Sequence, residues 1–295
     1  MSVVSGKIIF CEGKQTSLDF RLLNRVVENV LTNKPTIVPA GSKFTFSVFL
    51  QGYFSREGAT NQQYIIFRDR DFDAKPTDNI ALIPLNSMML THRACVENYL
   101  LNADLIHNYW HTKYIEKQDN PNSKWGHGDS PGLEAISGWM EEAAISLQDY
   151  QAVRWALADL LQSSTSRHQL KTTWTGGSGK LPSSLALQYC QSQAVALINR
   201  FQEAVETVTP DRFEQSLAIY QQQFSQEEFW TQKQYLIWFH GKDIQKAMHL
   251  WKPQHRYIPL KTKKGLCFFD WALNQLDISQ YPDLIELQNR ISSLQ

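Results

Sequence analysis

Cysteine is scarce in this chain of 295 residues: Cys11, Cys95, Cys190 and Cys267 lie far apart and form no CxxC pairing. That spacing argues against a zinc knuckle and against a disulfide framework, so the expected state of each is a reduced, mostly buried thiol. Net charge is lacking too, because 29 Lys and Arg offset 29 Asp and Glu. A balanced chain does not coat nucleic acid through its overall field, although a local basic surface stays open to it. No apolar stretch approaches the roughly 18 residues of a membrane span. The amino terminus shows no basic region leading into a signal-peptide core, and the expected location is cytoplasmic, with no membrane partner. Internal repeats and low-complexity tracts are missing as well.

A phosphate-binding loop is also missing, despite a near match. Thr175-Gly176-Gly177-Ser178-Gly179-Lys180 offers glycines and a lysine. The motif requires Gly where Trp174 stands and Ser or Thr where Leu181 stands. A glycine-rich turn is the expected structure, and no intrinsic nucleotide hydrolysis is expected from it. Gly126-His127-Gly128-Asp129 reads likewise as an exposed loop, and spacing alone reveals no Ser-His-Asp or Cys-His set.

What the chain does have is 42% apolar and 20% charged residues, the profile of an ordinary globular protein. Its length allows one large domain or two modest ones. Two apolar runs end in acid: Lys7-Ile8-Ile9-Phe10-Cys11-Glu12-Gly13, and Tyr64-Ile65-Ile66-Phe67-Arg68-Asp69-Arg70-Asp71-Phe72-Asp73. Runs without polar alternation read as strands buried on both faces, so their carboxylates emerge at strand carboxyl ends. In an open α/β sheet that edge binds ligands. Carboxylates gathered there repel one another, and a hard divalent cation, Mg²⁺ or Mn²⁺, is the expected remedy.

Leu22, Leu23, Val26, Val27, Val30 and Leu31 recur at helical spacing after the first run, with Thr16 or Ser17 as cap and Asp19 in the first turn. Further strands are expected at 36–38, within 44–50, at 80–85 and at 88–90, and a helix from about Val96. Alternating strands and helices predict an α/β fold with a mostly parallel sheet flanked by helices. From about residue 113 helical patterns dominate, at 136–161, 185–208, 211–224, 227–239, 243–251 and 281–294, with loops at 118–133 and 167–184. The expected division is an α/β metal-site domain over 1–112 and a mainly helical region over 113–295.

A basic segment runs from Lys242 through Lys246, Lys252, Arg256, Lys261 and Lys263 to Lys264, against the single acid Asp243. Trp251, Tyr257, His249 and His255 are interleaved with it, a mixture suited to phosphate contact and base stacking. The plainer alternative is a solvated helix face followed by a lysine-rich turn.

Four segments in order, Phe10-Cys11-Glu12-Gly13-Lys14, Phe67-Arg68-Asp69-Arg70-Asp71-Phe72-Asp73, Val96-Glu97-Asn98-Tyr99-Leu100-Leu101 and Gly241-Lys242-Asp243, carry a resemblance. Strand, Glu-Gly, helix, then strand ending in Asp-x-Asp resembles the Toprim domain of topoisomerases, primases and overcoming-lysogenisation-defect nucleases. It is similar above all to a Toprim-like family found beside ATPases in bacterial defence loci. Many Toprim sequences carry an acid four residues after the Glu, where this chain has Thr16; its Asp19 comes three places later. The resemblance implies a Toprim-like, Rossmann-like sheet with Glu12 as metal ligand or general acid/base, and Asp69 and Asp71 as metal ligands. Asp73 becomes an outer ligand, Glu97 a further ligand, and Lys14, Lys242 and Arg70 contacts to the scissile phosphate.

The implied activity is metal-dependent phosphodiester hydrolysis, on DNA sooner than RNA, in anti-phage defence with an ATPase partner. The alternatives are a non-catalytic nucleic-acid-binding or regulatory subunit of an ATPase complex, and a small-molecule phosphohydrolase. A topoisomerase would need a nucleophilic Tyr in a separate domain, and no such arrangement is visible in the sequence.

Overall fold

A computed structural model describes residues 7–28, 34–41, 64–85, 87–120, 122–163, 183, 184, 186–250, 258, 260 and 268–294. Strands β1 (Ile8–Cys11), β2 (Thr36–Pro39), β3 (Tyr64–Arg68), β4 (Ile83–Leu85) and β5 (Met88–Leu90) form one sheet in the order β2-β1-β3-β5-β4. β1 pairs in parallel with β2 and β3, and β3 pairs in parallel with β5. β4 pairs with β5 antiparallel. The expected strand within 44–50 lies outside the described residues.

β1 is wholly buried because it is central and carries no polar residue. On one face Ile8, Phe10 and Ile66 pack with Ala40, while Val38 and Met88 flank them. Ile9, Cys11 and Phe67, on the opposite face, are buried too. Each such side chain contributes about 1.5–3 kcal/mol by leaving water, which fixes the register and hence where the strands end.

The helices are α1 (Leu18–Val27), α2 (Glu97–Leu100), α3 (Ala103–Asp119), α4 (Leu133–Ile145), α5 (Gln148–Ser163), α6 (Leu187–Glu206), α7 (Pro210–Phe224), α8 (Glu227–Thr231), α9 (Tyr235–Trp238), α10 (Gly241–Leu250), α11 (Phe268–Gln275) and α12 (Pro282–Ser293). The single helix expected over 136–161 is two, broken where the Ser146 hydroxyl turns back onto the Ala143 carbonyl at 2.7 Å. The one expected over 227–239 is also two, separated by Lys233 at φ 53°.

The chain divides into two compact units, 1–147 with 227–295, and 148–226. Helices α3 and α4 belong to the sheet unit, and the chain returns to it after 226. Asp283 of α12 is buried and accepts from the His92 N–H at 3.1 Å and from the Tyr99 hydroxyl. Tyr281 donates to the Tyr99 carbonyl at 3.0 Å, and the Arg93 guanidinium lies over both rings. The carboxyl-terminal helix therefore braces the loop that follows β5. Among the described residues, no helix is long and apolar enough to cross a membrane.

Candidate metal centre

Three parallel neighbours, β1, β3 and β5, end at the same edge of the sheet. The chain leaves β1 through Glu12 and Gly13. Gly13 has φ +87°, and a Cβ there would lie 2.5 Å from the Ser17 hydroxyl oxygen. Its N–H donates to Gly41 at 2.6 Å. Only glycine makes this turn without strain. Ser17 then caps α1 by accepting from the Phe20 N–H, and Asp19 occupies the first turn. Continuing the β1–β3 register beyond Cys11 and Phe67 sets Glu12 beside Arg68, one residue short of Asp69.

Asp69 and Asp71, two residues apart, would share one face of an extended strand, but the chain bends as it leaves β3 and the two acids take different partners. Asp71 adopts φ 49°, and its N–H donates to Ala94 at 2.7 Å. Asp69 is buried, and its Oδ1 accepts from the Val96 N–H at 3.0 Å. Asp71 instead meets His240, Oδ1 to Nε2, at 3.1 Å. The loop after β5 supplies Cys95 and, at the start of α2, Glu97.

Asn98 holds this loop to the segment before α10. Its Oδ1 accepts from Cys95 N at 3.1 Å, Cys95 Sγ at 3.0 Å and Gly241 N at 2.9 Å. Its Nδ2 donates to the carbonyls of Leu236 at 3.0 Å and Phe239 at 2.9 Å. A Cβ on Gly241 would sit 2.7 Å from that Oδ1, which accounts for glycine at the head of Gly241-Lys242-Asp243.

Among the described residues, one group of metal-ligating side chains converges tightly: Asp69, Cys95 and Glu97, all buried, with ligand atoms within 4.8 Å of one another. This group could hold a metal ion. Lys242 reaches it as an ion pair, Nζ 3.7 Å from Glu97 Oε2, too long for a hydrogen bond. Burial pushes the Asp69 carboxyl well above the usual range, and the charges of Asp19, Asp71 and Glu97 push it further, against Lys242. Asp19 is pushed up to about 6, first by burial, with Glu97 and Asp71 adding to it. Burial, then Asp19 and Glu12, push the Cys11 thiol up to about 12. Burial alone would depress Lys242, but Glu97, Asp69, Cys95 and Asp19 hold its ammonium above the ordinary lysine range. The sheet edge thus gathers acids in one another's field around one ammonium, a repulsion that a bound cation relieves.

The remaining candidates divide. Glu12 and Asp71 share the edge but stand outside the tight group. Asp73 pairs with Arg68 and ties the loop to β3. Arg70 is not available to a phosphate: it is buried, and it donates to the carbonyls of His92 at 3.1 Å, Ala74 at 2.8 Å and Ile237 at 2.5 Å. Burial brings its guanidinium down to about 10, still charged at neutral pH. Lys14 is exposed beside the β1 turn, and Lys242 and Lys246 are exposed one turn apart on α10. Lys252, Arg256, Lys261, Lys263 and Lys264 lie outside the described residues.

Three site residues escaped the sequence reading. Asp19 was legible only as a first-turn acid, Cys95 as a bland thiol, and His240 not at all. His240 is buried between Cys95 Sγ, 3.8 Å from its Nδ1, and Asp71, and its ring stacks on Phe72. A scan of the chain against protein-family models finds no match, and a search of curated proteins finds none.

Proposed function

We propose that this protein is a divalent-metal-dependent nuclease with a Toprim-like sheet. The observation that carries the reading is the buried convergence of Asp69, Cys95 and Glu97 at the carboxyl edge, within the field of Asp19 and Asp71. The ordered motifs that resemble Toprim proteins supply the phosphodiester as substrate. Under this proposal DNA is expected over RNA, and an ATPase is the expected partner.

Asp69 and Glu97 would hold the ion, with Asp71 beside them; the expected metals are Mg²⁺ or Mn²⁺. When bound, a dication polarises a phosphoryl oxygen and lowers the pKa of a water. The chain's own groups supply the rest. Lys242, half-exposed at the rim, exchanges Glu97 for a phosphate oxygen. Lys14 and Lys246, both exposed, would contact further phosphates of the polynucleotide. Glu12, at the mouth of the edge, accepts the proton of the attacking water. Arg70 fixes the loop that aims Asp69 and Asp71.

The test uses supercoiled plasmid, single-stranded DNA and RNA with Mg²⁺, Mn²⁺ or chelator. Metal-dependent nicking that Asp69→Asn and Glu12→Gln each abolish, in folded protein, supports the proposal. Full activity in both variants removes these residues from the chemistry. Metal binding without cleavage of any polynucleotide favours a regulatory subunit, and turnover confined to nucleotides or phosphate esters favours a small-molecule phosphohydrolase.

A further inference from the structure

The ligand set at the edge is not made of oxygen alone. Cys95 is fully buried, and its Sγ lies within 4.8 Å of ligand oxygens of both Asp69 and Glu97. Behind it stands His240. A carboxylate on one ring nitrogen fixes the tautomer of a histidine and raises the basicity of the other nitrogen, which is how metal sites orient imidazoles. Here Nε2 lies 3.1 Å from Asp71 Oδ1, the acceptor that favours a proton on that nitrogen, and Nδ1 is the nitrogen that faces Cys95 Sγ at 3.8 Å. Asn98, bound to four backbone groups of both segments, holds the thiol in place at 3.0 Å.

Mg²⁺ prefers octahedral oxygen ligation and keeps several waters, which suits a dry pocket with a sulfur on its wall poorly. Thiolate and imidazole select instead the borderline cations of the first transition row. We infer that Cys95, backed by His240, makes this edge a mixed sulfur and oxygen site for a transition-metal dication, Zn²⁺ and Co²⁺ ahead of Mn²⁺ and Mg²⁺ last. The inference rests on the metal part of the proposed function and replaces its all-oxygen ion. The absence of CxxC spacing hides such a site, because its ligands come from separate segments.

Co²⁺ serves as the probe, since a thiolate bound to it gives a near-ultraviolet sulfur-to-metal charge-transfer band. The metal-free full-length protein titrated with Co²⁺ should develop that band to a plateau at one ion per chain. Zn²⁺ should bleach it at far lower concentration than Mg²⁺. Cys95→Ser should abolish the band with an unchanged circular dichroism spectrum, whereas Cys190→Ser should keep it. Asp69→Asn, which leaves the thiol intact, should also lose it. His240→Ala should weaken Co²⁺ binding by about 10- to 100-fold.

A wild-type titration without the band, or a band that survives Cys95→Ser, overturns the inference. The readout uses no nucleic acid, so the two claims fail separately. A band without cleavage under any metal leaves this site and removes the nuclease, whereas Mg²⁺-supported cleavage without a band does the reverse.

Discussion

Asp69 at the sheet edge and Asp159 in the 148–226 unit are both carboxylates held within packed structure, yet their surroundings are opposite. Asp159 accepts from Ser216 Oγ at 2.8 Å and Tyr220 Oη at 2.9 Å, and Trp155 stacks on that tyrosine. Two hydroxyls donate to it, and the contact links α5 to α7. Asp69 has one backbone donor, a buried thiol beside it and the charges of Asp19, Asp71 and Glu97 around it. Asp159 stabilises the chain as folded. Asp69 stores repulsion that a ligand removes. An acid retained where it costs stability marks a site better than acidity does.

The contrast can be broken most severely at Arg70, which lies in the site's own segment but resembles Asp159 in being held by hydrogen bonds. Arg70→Ala should cost on the order of 3 kcal/mol or more in urea unfolding, because it strands buried carbonyls. Unchanged stability would refute its role as the clamp of the loop. Asp69→Asn comes next. Metal-dependent cleavage should fall by roughly 100-fold or more, while the metal-free protein melts at a higher temperature than wild type. A lower melting temperature would show that no repulsion was stored there.

Asp159→Ala should do the opposite, losing about 1–3 kcal/mol with metal affinity unchanged. Calorimetry with Mn²⁺ alongside thermal melts separates the two behaviours. The smallest effect is in pH. The folded chain keeps the Asp19 proton up to about 6, against about 3.9 when unfolded. Its contribution to metal-free stability is therefore full below about pH 4 and is lost as pH rises through 6. Melts in chelator should decline across that window, and Asp19→Asn should flatten the decline. An unaltered slope in the variant would place Asp19 outside the cluster.

Much of the sheet was legible because Ile8 to Cys11 and Tyr64 to Phe67 carry no polar residue, so only a central strand accommodates them. Thr16 and Ser17 were equally local candidates for the cap of the first helix, and Ser17 caps it. The break at Ser146 was not legible, since apolar periodicity runs through it without proline or glycine. Helix α11 was missed because its eight residues give too short a pattern. In the site, Asp69 could be read from its place after an apolar run, and Glu97 only through the motif that resembles Toprim proteins. Cys95 and His240 could not: 145 positions separate them, and only tertiary packing through Asn98 joins their segments. Arg70 and Asp73 find their partners, three carbonyls and Arg68, through tertiary packing as well. Charge in a sequence does not say whether its partner is solvent, a ligand or a buried carbonyl.

The central claim is that Asp69 and Glu97 grip one metal ion at the carboxyl edge of the sheet. The direct measurement is a crystal structure of the protein soaked in Mn²⁺, with anomalous diffraction recorded at the manganese edge. The account predicts one strong anomalous peak within coordinating distance of ligand atoms of Asp69, Cys95 and Glu97, with Lys242 released from Glu97. Glu97 still paired to Lys242 and no anomalous peak at the edge under saturating Mn²⁺ would contradict it.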